Sequence, residues 1–149
     1  MAPEAKVVLA HWNGCGHCTS APSMADMATA FFNLRELAEG RRPKGCEVRL
    51  TPAERALVHR VNVTSWEASD DKAKPREFEE AADAGFPFMF ASGNGESRTY
   101  IGGPEKRNFL DDVYRERFGF GWSQSLRRKF ACMIEGESDA HVQALCLEL

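Results

Sequence analysis

Hydrophobic and polar positions along this chain switch between two periods. Val7-Val8-Leu9-Ala10 is a continuous apolar run with β-branched residues at its start, which predicts a short buried strand over 6–11. Trp12-Asn13-Gly14 follows as a turn signal. Between 16 and 39, Met24, Met27, Ala28, Phe31, Leu34 and Leu37 recur at steps of three and four, one face of an amphipathic helix stopped by Gly40 and Pro43. Segments 45–50 and 58–64 read as strands, with a helical turn over 53–58 between them. The Ala-, Glu- and Lys-rich stretch 65–84 reads as helical in part, interrupted by Pro75 and resumed over 77–84. A strand over 86–90 begins at Pro87, Gly93-Asn94-Gly95 makes a hairpin turn, and 98–101 returns. A helix over 105–117 carries Phe109, Leu110, Val113 and Tyr114 on one face, and 123–149 is helical with a less regular pattern. This succession predicts an α/β fold in which helices cover a mixed sheet.

The length of 149 residues suits one core. Hydrophobic residues at 43% and charged residues at 28% are ordinary for a folded globular chain. A net charge of −3, with basic residues interleaved among acids, argues against nucleic acid as a partner. The one basic run, Arg127-Arg128-Lys129, reads as a solvated helix face. No run approaches the roughly 18 apolar residues of a membrane span. The first ten residues carry no leader pattern, so the expected setting is intracellular and cytoplasmic, without a membrane partner.

Five cysteines stand at 15, 18, 46, 132 and 146, an odd number and uneven spacing that do not suit a secreted disulfide framework. The close pair is the exception. At a strand-to-helix junction, Cys15 would sit where unpaired backbone N–H groups and the helix dipole favour its thiolate. Cys18, one turn further in, would stay protonated until it resolves a mixed disulfide. His17 between them can carry positive charge, which favours the thiolate and makes the pair more oxidising. The same spacing also forms half of many zinc sites, with His11, Cys46 and His59 as further ligands to weigh, though none shows a second paired spacing. Cys46 reads as a small buried hydrophobe beginning a strand. Cys132 and Cys146 read as inert thiols, with a mutual pair or a relay to the central couple as alternatives.

His11-Trp12-Asn13-Gly14-Cys15-Gly16-His17-Cys18 resembles the active-site segment of the thioredoxin-like superfamily, and Cys-Gly-His-Cys is the tetrad of protein disulfide isomerase domains. Ala84-Gly85-Phe86-Pro87-Phe88-Met89-Phe90, then Gly93-Asn94-Gly95, Tyr100 and Gly102-Gly103, is similar to the family's cis-proline strand, hairpin and return strand. Arg60-Val61-Asn62-Val63-Thr64 resembles the central strand, with Arg60 where a lysine usually stands. The resemblance covers about residues 6–118. It implies a central mixed four-stranded sheet flanked by helices, with a trimmed N-terminus and a helical extension over 119–149 packed on the same domain.

It also implies a thiol–disulfide oxidoreductase in which Cys15, Gly16, His17 and Cys18 are catalytic. No cofactor beyond a redox-active Cys15–Cys18 disulfide is expected. Pro87 would be cis and face the pair, where adjacent backbone binds an extended substrate, and Phe86 and Trp12 would supply an apolar docking surface. The plain alternative is a trans proline opening an edge strand. Expected partners are protein or peptide disulfides and dithiols, with a reductase or glutathione as electron source. Several positions depart from the family. Gly14 replaces a tryptophan, Leu9 stands where a buried acid usually accepts the Cys18 proton, Pro22 comes one residue early, and the opening strand and helix have no counterpart. Without the acid, water or an inward-facing His11 would take that role, although a partly exposed strand-end histidine is the simpler reading. These departures keep two further readings open. One is a binding or scaffold module with little turnover. The other is a glutaredoxin-like protein that uses glutathione or binds metal.

Overall fold

A computed structural model describes residues 5–136 and 140–147. Four strands form one open mixed sheet in the order β2-β1-β3-β4. β1 (Ala5–His11) runs parallel to β2 (Val61–Glu67) and antiparallel to β3 (Phe88–Gly93), which pairs antiparallel with β4 (Glu96–Ile101). β1 is central and covered on both faces, which is why its apolar run is unbroken. Val7 and Leu9 enter the larger core beneath the helices, and Val8 and Ala10 enter a smaller cluster with Trp66 and Phe88 on the other face. The β3–β4 turn has Asn94 and Gly95 both at positive φ, +54° and +77°, as a tight two-residue hairpin requires.

The segment read as one helix over 16–39 is two. α1 (Gly16–Thr19) is a single turn, and α2 (Met24–Ala38) starts afresh after Ser23, whose hydroxyl accepts the Asp26 N–H at 3.0 Å. Pro22 disfavours helical backbone at Ala21, so the apolar period survives across a break in the chain path. α3 (Pro52–Val58) is closed by a capping box between Thr51 and Glu54 with proline at its start. Val58 therefore ends a helix, and β2 begins three residues later than its pattern suggested and runs on to Glu67.

Residues 45–50 form no strand. Gly45 has φ +79°, Cys46 donates its N–H to the nearby Pro43 carbonyl, and the Cys46 carbonyl accepts from Arg42 Nε, so the segment closes on itself outside the sheet. Of 65–84, only α4 (Arg76–Glu80) is helical. α5 (Glu105–Tyr114) is shorter than its pattern by three residues. The C-terminal region is α6 (Gln124–Glu135) and α7 (Ala140–Leu147), parted after Gly136 at φ +75°.

α6 packs against α2 through an aromatic cluster. Phe130 lies 4.6 Å from Phe31 and 5.4 Å from Trp122, ring centre to ring centre, and Trp122 donates its indole N–H to the Leu57 carbonyl at 3.2 Å. The basic run here is partly tied down: Arg127 donates to the Tyr114 carbonyl and Lys129 pairs with Glu54 at 2.6 Å. Arg60 precedes β2 at the end of the sheet away from Cys15, and a side chain at Gly121 would collide with its guanidinium. Among the described residues no helix is long and apolar enough to cross a membrane.

Phe130 is fully buried between α2 and the segment preceding α6. Its replacement by alanine is expected to lower unfolding free energy by about 3–5 kcal/mol in urea titrations; a loss below about 1 kcal/mol would mean that α6 is not part of the core.

Candidate functional site: a dithiol turn at the end of β1

The chain leaves β1 at His11 and turns sharply, with the Cys15 N–H bonded to the Trp12 carbonyl at 3.0 Å. Cys15 is the N-cap of α1, with extended backbone, and its sulfur accepts the Cys18 N–H at 3.3 Å. A cap position exposes a side chain to unpaired backbone donors, the situation that favours an anion. The spacing of three then puts Cys18 one turn further in, where it is 2% exposed, while Cys15 is half-buried. The two thiols are within hydrogen-bonding reach of each other and are not joined.

Their environments push them apart. Burial acts to raise the Cys15 pKa, but the Cys18 thiol and the backbone N–H groups of Cys18 and His17 donate to its sulfur, and Lys106 adds positive charge. Together these hold Cys15 below the ordinary thiol value. Burial, the hydrogen bond it donates to Cys15 and repulsion from Cys15 push Cys18 up to about 11, against the Trp12 N–H and Lys106.

The other residues singled out in the sequence gather around this turn in different ways. Gly16 is exposed, and a Cβ added there would meet open space. The His17 ring lies on Gly103, where an added Cβ would come within 2.8 Å of Nδ1. Trp12 is 47% exposed and its indole folds over Gly14, so that a Cβ there would meet the ring at 2.5 Å. The missing tryptophan before Cys15 thus has a neighbour's ring lying across its position. The Phe86–Pro87 peptide bond is cis, and the Phe86 carbonyl accepts from the Cys15 thiol at 3.6 Å. The Phe86 ring stacks on Phe78 at 5.2 Å, and the contact with the sulfur is made by its backbone carbonyl. Pro87 is buried, and its carbonyl accepts the Gly102 N–H at 2.8 Å.

His11 is buried, not partly exposed, and its Nδ1 has no hydrogen-bond partner. Burial lowers its pKa against the pull of Glu67 and Asp70. Cys46 lines a cleft between α2 and α6, and His59 ends α3, both away from the turn. Among the described residues no three His, Cys, Asp or Glu side chains gather as a metal site. Cys132 lines the same cleft as Cys46; the side chain of Cys146, and with it any pairing to Cys132, lies outside the described residues.

One residue at the turn was missed. Lys106, in the first turn of α5, is 3% exposed, and its ammonium donates to the carbonyls of His17 and Ser20 and to the Ser20 hydroxyl. Its signal in the sequence was its position: 106, 109, 110 and 113 form one stripe of α5, so Lys106 occupies an inward place among apolar residues. No protein-family model matches the chain, and no curated protein is significantly similar to it.

The unequal thiols give a direct expectation. A thiol whose pKa is lowered keeps its thiolate to lower pH, and one raised to about 11 holds almost none at neutrality. Limited iodoacetamide treatment of the reduced protein at pH 7 should therefore label Cys15 well ahead of Cys18, with Cys15 labelling half-maximal at a pH below that of a free thiol. Peptide mass spectrometry reads both, and equal labelling would refute the asymmetry.

Proposed function

We propose that this protein is a thiol–disulfide oxidoreductase of thioredoxin-like type, with a protein disulfide isomerase-like Cys-Gly-His-Cys centre, acting on protein or peptide disulfides. The observation that carries the reading is the unequal pair at the end of β1: a half-exposed, acid-shifted Cys15 beside a buried, protonated Cys18. The mixed sheet and the cis Phe86–Pro87 bond beside the sulfur support it.

In the reducing direction the Cys15 thiolate attacks one sulfur of the substrate disulfide. A Cys15–substrate disulfide forms and the other substrate sulfur leaves as a thiolate. Cys18 then attacks the Cys15 sulfur, its proton passes to the departing substrate sulfur, and the Cys15–Cys18 disulfide remains. Two electrons have moved from the pair to the substrate, and a reductase or glutathione returns them. Run backwards, the same steps oxidise a substrate dithiol. The Phe86 backbone, whose carbonyl already meets the Cys15 sulfur, and the exposed indole of Trp12 are suited to hold an extended substrate segment beside Cys15.

The test is a redox titration in glutathione buffers, with alkylation and mass spectrometry to locate the bond. A reversible Cys15–Cys18 disulfide with a potential of about −270 to −180 mV is expected. Cys18→Ser should accumulate the mixed disulfide with substrate, and Cys15→Ser should reduce exchange to background. A pair that never closes would leave a binding module as the function.

A further inference from the structure

Lys106 poses an electrostatic problem that the reaction outlined above does not solve. Its ammonium is buried, and it sits in the first turn of α5, where the helix dipole already disfavours a cation. Buried lysines are ordinarily paired with a carboxylate. Among the described residues none is within ion-pair distance of this one. All three of its donors go instead to neutral oxygens of the dithiol turn and its end: the His17 carbonyl, the Ser20 carbonyl at 2.8 Å and the Ser20 hydroxyl at 3.1 Å. Three acceptors satisfy three N–H bonds, which is the pattern of the protonated amine; a neutral amine would turn a lone pair toward an oxygen.

Among the described residues a charge held this way has no fixed counter-ion, and the anions that can form on the turn it grips are the thiolates of Cys15 and Cys18, both of which act on it. The same segment braces the site twice more, since Gly103 carries the His17 ring and the Gly102 N–H binds the Pro87 carbonyl. β1 offers no acid at the corresponding depth, because Leu9 is fully buried there. His11, at the end of the same strand, is no acid either: it is a buried base whose Nδ1 has no hydrogen-bond partner, and the charges acting on it are Glu67 and Asp70.

We infer that Lys106 is a positioning residue of the dithiol, whose buried ammonium clamps the α1 turn and serves as the counter-charge for the thiolate on Cys15 and then on Cys18. In resolution the Cys18 proton goes to the departing substrate sulfur, and the charge that develops on Cys18 is met by Lys106 instead of being relayed through a carboxylate. The mutual effects of the three groups agree: Lys106 lowers both thiols, and both thiols raise Lys106 against the effect of its burial.

This inference rests on the dithiol being the working centre, but its test reads the thiolate itself and not exchange. Lys106→Met keeps the aliphatic stem and removes the charge, whereas Lys106→Arg keeps the charge. With Met, the Cys15 thiolate fraction at pH 7, from iodoacetamide rates and thiolate absorbance, should fall roughly tenfold. The equilibrium constant with glutathione should shift by a similar factor, about 30 mV toward more reducing potential. Arg should restore most of both. A folded Met variant with an unchanged Cys15 titration overturns the inference, even if its melting temperature drops, because a purely structural clamp would move only stability. If the Met variant fails to fold, lysine side-chain NMR of the wild-type protein decides. The Lys106 ammonium resonance should step at the Cys15 pKa, and a flat response overturns the inference. A wild-type protein whose cysteines never form a disulfide would sink the oxidoreductase reading while leaving this titration to be judged separately.

Discussion

The antiparallel register of β1 and β3 is the constraint on which the rest of the site depends. Ala10 is paired with Phe88, so the chain leaving β1 and the chain entering β3 meet at one end of the sheet. Five residues beyond Ala10 is Cys15, two before Phe88 is Phe86, and the carbonyl of one meets the sulfur of the other. A slip of one residue would turn Val7 and Leu9 out of the main core and Val8 and Ala10 into it, so burial on both faces of β1 fixes this register strongly. The position of the dithiol relative to Pro87 is in that sense a by-product of hydrophobic packing two turns of chain away.

Onto that end of the sheet α5 brings a third layer. Its apolar stripe, Phe109, Leu110 and Val113, seats the helix on the core, and the same stripe carries Lys106 to the underside of the α1 turn. Gly102 and Gly103 let the backbone come close enough to bind the Pro87 carbonyl and to support the His17 ring. A short run of five residues therefore touches the cysteine turn and the proline strand together. Any displacement of α5 would be felt at both.

At the opposite end, the C-terminal region completes the core. Phe118, Phe120, Trp122 and Phe130 belong to one buried cluster with Phe31 of α2, and the Trp122 indole satisfies the Leu57 carbonyl at the end of α3. This is where the chain differs most in emphasis from a bare sheet with two helices. The Arg60 guanidinium lies against Gly121 at that end, whereas Lys106 acts on the sulfurs.

By itself the sequence determined the strand at 6–11, the turn and cysteine spacing, the hairpin at Asn94-Gly95 and the apolar faces of α2 and α5. These are local: each rests on a period, a cap or a positive-φ turn confined to a few neighbouring residues. It misplaced what non-local partners decide. Residues 45–50 have a strand-like pattern but bond to their own neighbours and join neither edge of the sheet, and Val58 was claimed by the capped helix before it. The stretch 65–84 has helix-forming composition, yet its first residues are taken by pairing with β1. Only the tertiary structure decided that Phe86 presents its backbone carbonyl to Cys15, that His11 is buried, and that Lys106 lies under the dithiol. Those outcomes depend on which side chains meet across distant segments. Lys106 was marked by an inward position on its helix, but its oxygen partners lie 86 and 89 residues away along the chain.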